Sequence, residues 1–168
     1  DGVGVDVLGG VHDWSNISVE KSFVSADQSS IGLNAWYSDL SIDHFTARNV
    51  STAMMLEDSH VAAHTVEANI GSQAGLHLID SDYRGSDLTT IAQDRGVLME
   101  GDTQLHLSSW TAQLHDTPLM MSPGSMATVR SFTPMNTAPT SVDALGDGTL
   151  YYGSSSNPSI STSTSYRF

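Results

Sequence analysis

At 168 residues, 39% of them hydrophobic, the chain fits one domain with a sizeable core and is not a disordered polymer. Nineteen Asp and Glu against six Lys and Arg give a formal charge of −13, a surface that repels nucleic acid and anionic membranes. Cysteine is absent, which removes disulfides, thiol nucleophiles and thiolate metal sites, and no apolar run approaches the roughly 20 residues of a membrane-inserted helix.

The chain opens Asp1-Gly2-Val3-Gly4-Val5, without Met or a basic leader, and is expected to be a mature piece or fragment of something longer. Three series of short apolar segments then run in step. The first is Gly32-Leu33-Asn34-Ala35, Ala53-Met54-Met55-Leu56, Gly75-Leu76-His77-Leu78, Gly96-Val97-Leu98-Met99 and Pro118-Leu119-Met120-Met121, starting 21 or 22 residues apart. The second begins with Ile17-Ser18-Val19 and continues through Leu40-Ser41-Ile42, Val61-Ala62-Ala63, Tyr83-Arg84-Gly85, Leu105-His106-Leu107 and Ala127-Thr128-Val129. The third holds one large residue per repeat, Phe23, Phe45, Val66, Leu88, Trp110 and Phe132, with a small residue two places later.

A 22-residue period with alternation inside each segment predicts three short strands per coil, stacked coil on coil at roughly 4.8 Å. Helical apolar spacing and the leucine-rich consensus are both missing. The expected fold is all-β, a right-handed parallel β-helix of about six coils over residues 1–134. Beyond Met135 the register fades into Ser, Thr and turn residues, so 135–168 is expected to be a C-terminal cap, trimerisation segment or tail.

Outward-facing positions supply the candidate sites. Trp36 and Tyr37 stand at a bend, where adjacent aromatics suit sugar stacking or packing against a neighbouring coil. The middle residues of the first series, Asn34, Met55, His77, Leu98 and Met120, form a column too apolar for water. It is expected to be an interface between subunits or to be covered by the tail.

Acids gather after the first series: Glu57 with Asp58, Asp80 with Asp82, and Glu100 with Asp102. Stacked like charges need compensation. Three explanations stand side by side. Glu57, Asp80 and Glu100 are candidate catalytic carboxylates for glycoside cleavage, with Asp58, Asp82 and Asp102 as substrate-binding partners; the group could hold a hard cation; or the acids are solvated turn residues. The seven His show no zinc spacing, so neither a metal nor another cofactor is expected.

The stretch Gly75–Ser81, the stretch Gly96–Asp102 and the 22-residue coils resemble the pectate-lyase-like right-handed β-helix of phage tailspikes and tail fibres. The resemblance is architectural and spans about residues 16–134. It implies a homotrimer on the virion surface, or an otherwise extracellular protein, that binds bacterial surface polysaccharide and in some members cleaves it. No catalytic signature matches residue by residue. An autotransporter-type passenger or adhesin is the alternative, to which Gly124–Arg130 and the Ser/Thr content are similar. A stand-alone polysaccharide lyase or epimerase comes third, since Arg84, Arg95 and Arg130 are not expected to converge with the acids.

Overall fold

The computed structural model describes residues 2–21, 29–135, 142–144 and 149–152. They form twelve strands and no helix: β1 Gly2–Glu20, β2 Ser30–Arg48, β3 Thr52–Glu57, β4 His60–Asn69, β5 Ala74–Ile79, β6 Asp82–Ile91, β7 Arg95–Glu100, β8 Gln104–Gln113, β9 Thr117–Met121, β10 Met126–Met135, β11 Val142–Ala144 and β12 Thr149–Tyr152. Every pairing is parallel, and the strands wind into a β-solenoid of about five turns. Short strands β3, β5, β7, β9 and β11 stack in one column, long strands β4, β6, β8, β10 and β12 in another, and β2 is long enough to start both.

The three expected strand series are therefore present, with the second and third joined. In β4 the inward residues are Val61 and Ala63, then Val66 and Ala68, and the alternation resets because His64 and Thr65 both face out. The ladder skips one residue there, pairing Ala63 with Gly85 and Thr65 with Asp87. The same omission at Asp43, Ser86, Ser108 and Arg130 makes an aligned bend that folds each long strand into two faces.

A second bend explains the small residues of the repeat. Gly32, Ala53, Gly75, Gly96 and Pro118 are skipped in the short-strand ladder. A Cβ on Gly75 would lie 2.5 Å from Thr90 Cγ2, and one on Gly96 would lie 2.8 Å from Trp110 Cζ2. The corner thus presses on the column Ala47, Ala68, Thr90, Ala112, which has to stay narrow. Behind it the core is a dry stack of Phe45, Val66, Leu88, Trp110 and Phe132 against Leu33, Met54, Leu76 and Leu119. Trp110 and Phe132 pack ring to ring at 4.9 Å.

Each turn also carries a buried hydroxyl at one place: Ser38, Ser59, Ser81, Thr103 and Ser125. Ser59 Oγ donates to the Glu57 carbonyl at 2.8 Å and accepts from the Ser38 amide at 3.2 Å. Ser81 Oγ repeats this with the Ile79 carbonyl and the Ser59 amide, at 2.7 and 3.1 Å. Thr103 Oγ1 does the same one coil on. The chain reverses here, so its amides leave the strand ladder and would otherwise be buried without acceptors.

One expected register is corrected. Ile17 pairs with Phe45 and Val19 with Ala47, so this segment belongs to the third series rather than the second. The second series in the first coil is His12-Asp13-Trp14, opposite Leu40-Ser41-Ile42. The β1–β2 offset is 28 residues rather than 21 or 22, because residues 22–28 intervene between the strands. An alternating pattern has period two, and with so few apolar residues it fits more than one register. Phe23, Val24 and Ser25 lie outside the described residues, as does most of 136–168. The described part of that stretch, β11 and β12, extends the ladder on β9 and β10.

Candidate functional site

The bend in the long strands makes the site. On its outer side runs a groove of about 1020 Å³, open to solvent along the solenoid axis. One wall is the outward column Ser41, Ala62, Arg84, His106 and Thr128, and the other is the bend column Asp43, His64, Ser86, Ser108 and Arg130. The floor includes Ile42, Ala63, Gly85 and Leu107. β1 closes one end with Asp13, Trp14 and Ser15. A shallower depression of about 440 Å³ adjoins the groove over Ala62, sharing Asp13, Ser41 and Arg84 and reaching His60 and Asp82.

Each coil contributes one titratable side chain to this groove, and their order along the axis is simple. Asp13 on β1 and Asp43 on β2 come first, then His64 on β4, Arg84 on β6, His106 on β8 and Arg130 on β10. Asp43 Oδ2 is held by His44 Nδ1 at 3.0 Å, and His44 meets His64 edge to face at 6.0 Å. Arg84 is tied to Asp82 from the flank, with Nη2 to Oδ2 at 3.1 Å. The remaining lining is mostly hydroxyls and small side chains, a surface that hydrogen-bonds in many directions and blocks little.

Under the floor, Tyr83 and Gly85 form a matched pair. A Cβ on Gly85 would lie 2.8 Å from Tyr83 Cε1, so the glycine makes room for the ring. The Tyr83 hydroxyl is fully buried without a partner, and burial pushes its ionisation well above the ordinary tyrosine range. It is a neutral filler rather than an acid or base.

The acids named from sequence lie outside this groove, on or beside the turn that follows the short strands. They also fall into different columns. Glu57 aligns with Ile79 and then Glu100, so an apolar residue separates the two carboxylates. Asp58 and Asp80 occupy a left-handed turn at φ 49° and 47°. Asp82 stands on β6, between His60 and Gln104.

Compensation is local in most of these acids. Glu57 Oε2 accepts from Trp36 Nε1 at 3.0 Å, Glu100 Oε2 meets His77 Nε2 at 2.8 Å, and Asp80 Oδ1 accepts from the Asp102 amide at 2.8 Å. Trp36 is half-buried by this contact, and Tyr37 beside it is exposed with φ 51°. None of these residues lines the groove.

The apolar column on the short-strand face forms as expected, as an unbroken ladder through Met55, His77, Leu98 and Met120. Its members are half-buried by one another. At its start Asn34 is buried, with Nδ2 donating to Asp6 Oδ1 at 3.1 Å. Among the described residues the most exposed large apolar side chains are instead Leu8 and Val11 on β1, at 77% and 82%.

The groove was readable only through one signal, a pair of successive outward residues between the second and third series in every coil. Asp43-His44, His64-Thr65, Ser86-Asp87, Ser108-Ser109 and Arg130-Ser131 share a position and no common residue pair. Contrary to the expectation that the arginines stay apart from the acids, Arg84 pairs with Asp82; Arg84 and Arg130 both line the groove, while Arg95 stands on β7 in the other column. Compared with known proteins, the chain matches no family model, no curated protein and no solved structure.

Proposed function

We propose that the solenoid is a polysaccharide-binding module, displayed on a virion or other extracellular surface as in phage tailspikes, and that the groove over the bent strands is where the glycan lies. The observation that carries this reading is the shape of the groove: it is open and runs across the strands from β1 to β10. A polymer of repeating units can lie along such a track and meet one outward and one bend position in each coil. Serine and threonine hydroxyls, amphoteric in hydrogen bonding, line most rungs, and Trp14 offers an aromatic at one end.

Binding is the chemistry this site supports. The catalytic candidates Glu57, Asp80 and Glu100 are outside the groove, and the first and last are occupied by Trp36 and His77. A homotrimer belongs to the same proposal, built on the flat Met55, Leu98 and Met120 ladder; a monomer mass in solution overturns that part.

The test fills the groove. Ser108 is exposed at the bend, so Ser108→Trp adds bulk outward and leaves the core alone. Retention of bacterial surface polysaccharide should fall at least about tenfold while the melting temperature holds. Unchanged retention removes the groove as the site.

A further inference from the structure

We infer that the glycan is acidic, with its carboxylate, sulfate or phosphate groups lying over β6, β8 and β10. This rests on the groove being the glycan site and adds the chemical class of the ligand and its direction.

The inference comes from where a strongly acidic protein keeps its few cations. Only six Lys and Arg serve the whole chain, yet Arg84 and Arg130 both line this groove, with His106 between them. The three stand on β6, β8 and β10, which are consecutive rungs of the long-strand stack. They therefore advance along the axis at roughly 4.8 Å per step.

No carboxylate lines the groove on these three strands. Asp82 holds Arg84 from the side, and Asp87 lies just past the bend. Arg130 is exposed and has no ion-pair partner among the described residues. A net charge of −13 repels a polyanion at long range. Screening confines that repulsion to about 8–10 Å, inside which the local cations decide. Guanidinium groups suit planar and tetrahedral oxyanions through paired N–H donors.

The opposite end argues for the same assignment. Asp13 and Asp43 line the groove at β1 and β2, where an anionic substituent is repelled. An acidic chain thus registers toward Arg130 and does not slide evenly along the track. A second polyanion class, nucleic acid, is disfavoured because Trp14 is the one Trp, Tyr or Phe among the described residues lining the groove, which offers little for bases to stack on.

Dextran sulfate and dextran share a backbone and differ in charge, so the pair isolates the claim. The full chain should bind dextran sulfate in a salt-dependent manner and at least about tenfold more tightly than dextran. Arg130→Ser and Arg84→Ser should each weaken dextran sulfate binding by about tenfold, the loss expected for one charge-assisted contact. Asp13→Asn should leave it equal or stronger. Thermal melting of Arg130→Ser, which breaks no ion pair, keeps folding out of the comparison.

Equal binding of the two dextrans, or arginine variants without effect, overturns the acidic assignment. So does tighter binding of oligo-dT than of dextran sulfate. If both dextrans bind alike and Ser108→Trp abolishes both, the groove reading stands and the assignment alone falls. If surface polysaccharides ignore Ser108→Trp, the groove reading falls, and the assignment with it.

Discussion

Two left-handed turns recur along the solenoid, and several of their occupants are residues that conformation disfavours. Tyr37, Asp58, Asp80 and Gly101 hold one turn, of which only Tyr37 is an awkward fit, while Asn49, Ile70, Ala92 and Leu114 hold the other at φ 55–59°. A β-branched side chain is the worst fit for positive φ, and αL costs an L-residue roughly 1–2 kcal/mol. Ile70 is half exposed, so little burial offsets that strain. Ile70→Gly should raise stability by about 1 kcal/mol after the entropy of glycine is charged against it, read as a higher urea midpoint with an unchanged slope. A lower midpoint contradicts the strain. Tyr83 presents the complementary case, a buried hydroxyl with no partner. Tyr83→Phe removes an uncompensated polar group and keeps the ring that fills the space at Gly85. It should stabilise by roughly 1 kcal/mol, and a lower melting temperature would show that the hydroxyl has a partner after all.

At the scale of elements, strands were legible and turns were not. Inward residues such as Leu33, Met54, Leu76, Val97 and Leu119 repeat because each fills the same slot against the same neighbours. That repetition marks all three series in the sequence. The turns are held by backbone sign and by the hydroxyl stack at Ser38, Ser59, Ser81, Thr103 and Ser125, small residues lost among the many Ser and Thr of this chain. Of the catalytic candidates Glu57, Asp80 and Glu100, Asp80 instead shares its place with Asp58, because acids tolerate tight turns and the turn is what aligns them. The hydroxyl stack makes its own prediction. Ser81→Ala strips the acceptor from the Ser59 amide and the donor from the Ile79 carbonyl, and should cost about 1–3 kcal/mol. Ser81→Thr should cost far less, since the next coil already uses Thr103 at that place. Equal losses for the two would place the effect in packing rather than in the hydrogen bonds.

Across the whole molecule, function follows from stacking unlike residues at like places. Periodicity reports what every coil repeats, whereas the groove is written in what each coil varies: Asp13, Asp43, His64, Arg84, His106 and Arg130. These side chains are 20 to 30 residues apart in sequence, and the ladder brings each within a rung of the next. Acids that neighbour one another in the chain meet beside the short-strand turn at Glu57, Asp80 and Glu100, whereas residues a coil apart meet along the bend. The solenoid therefore separates its parts, with a uniformly apolar core and a varied outer bend, on which the proposed recognition rests.

The measurement that decides most directly is a backbone amide chemical-shift map with a bound bacterial surface polysaccharide. Perturbations are predicted along 84–86, 106–108 and 128–130, continuous across β6, β8 and β10. Shifts confined to 57–58, 80–82 and 100–102, with the bend silent, would contradict the groove and return the site to the acidic turn.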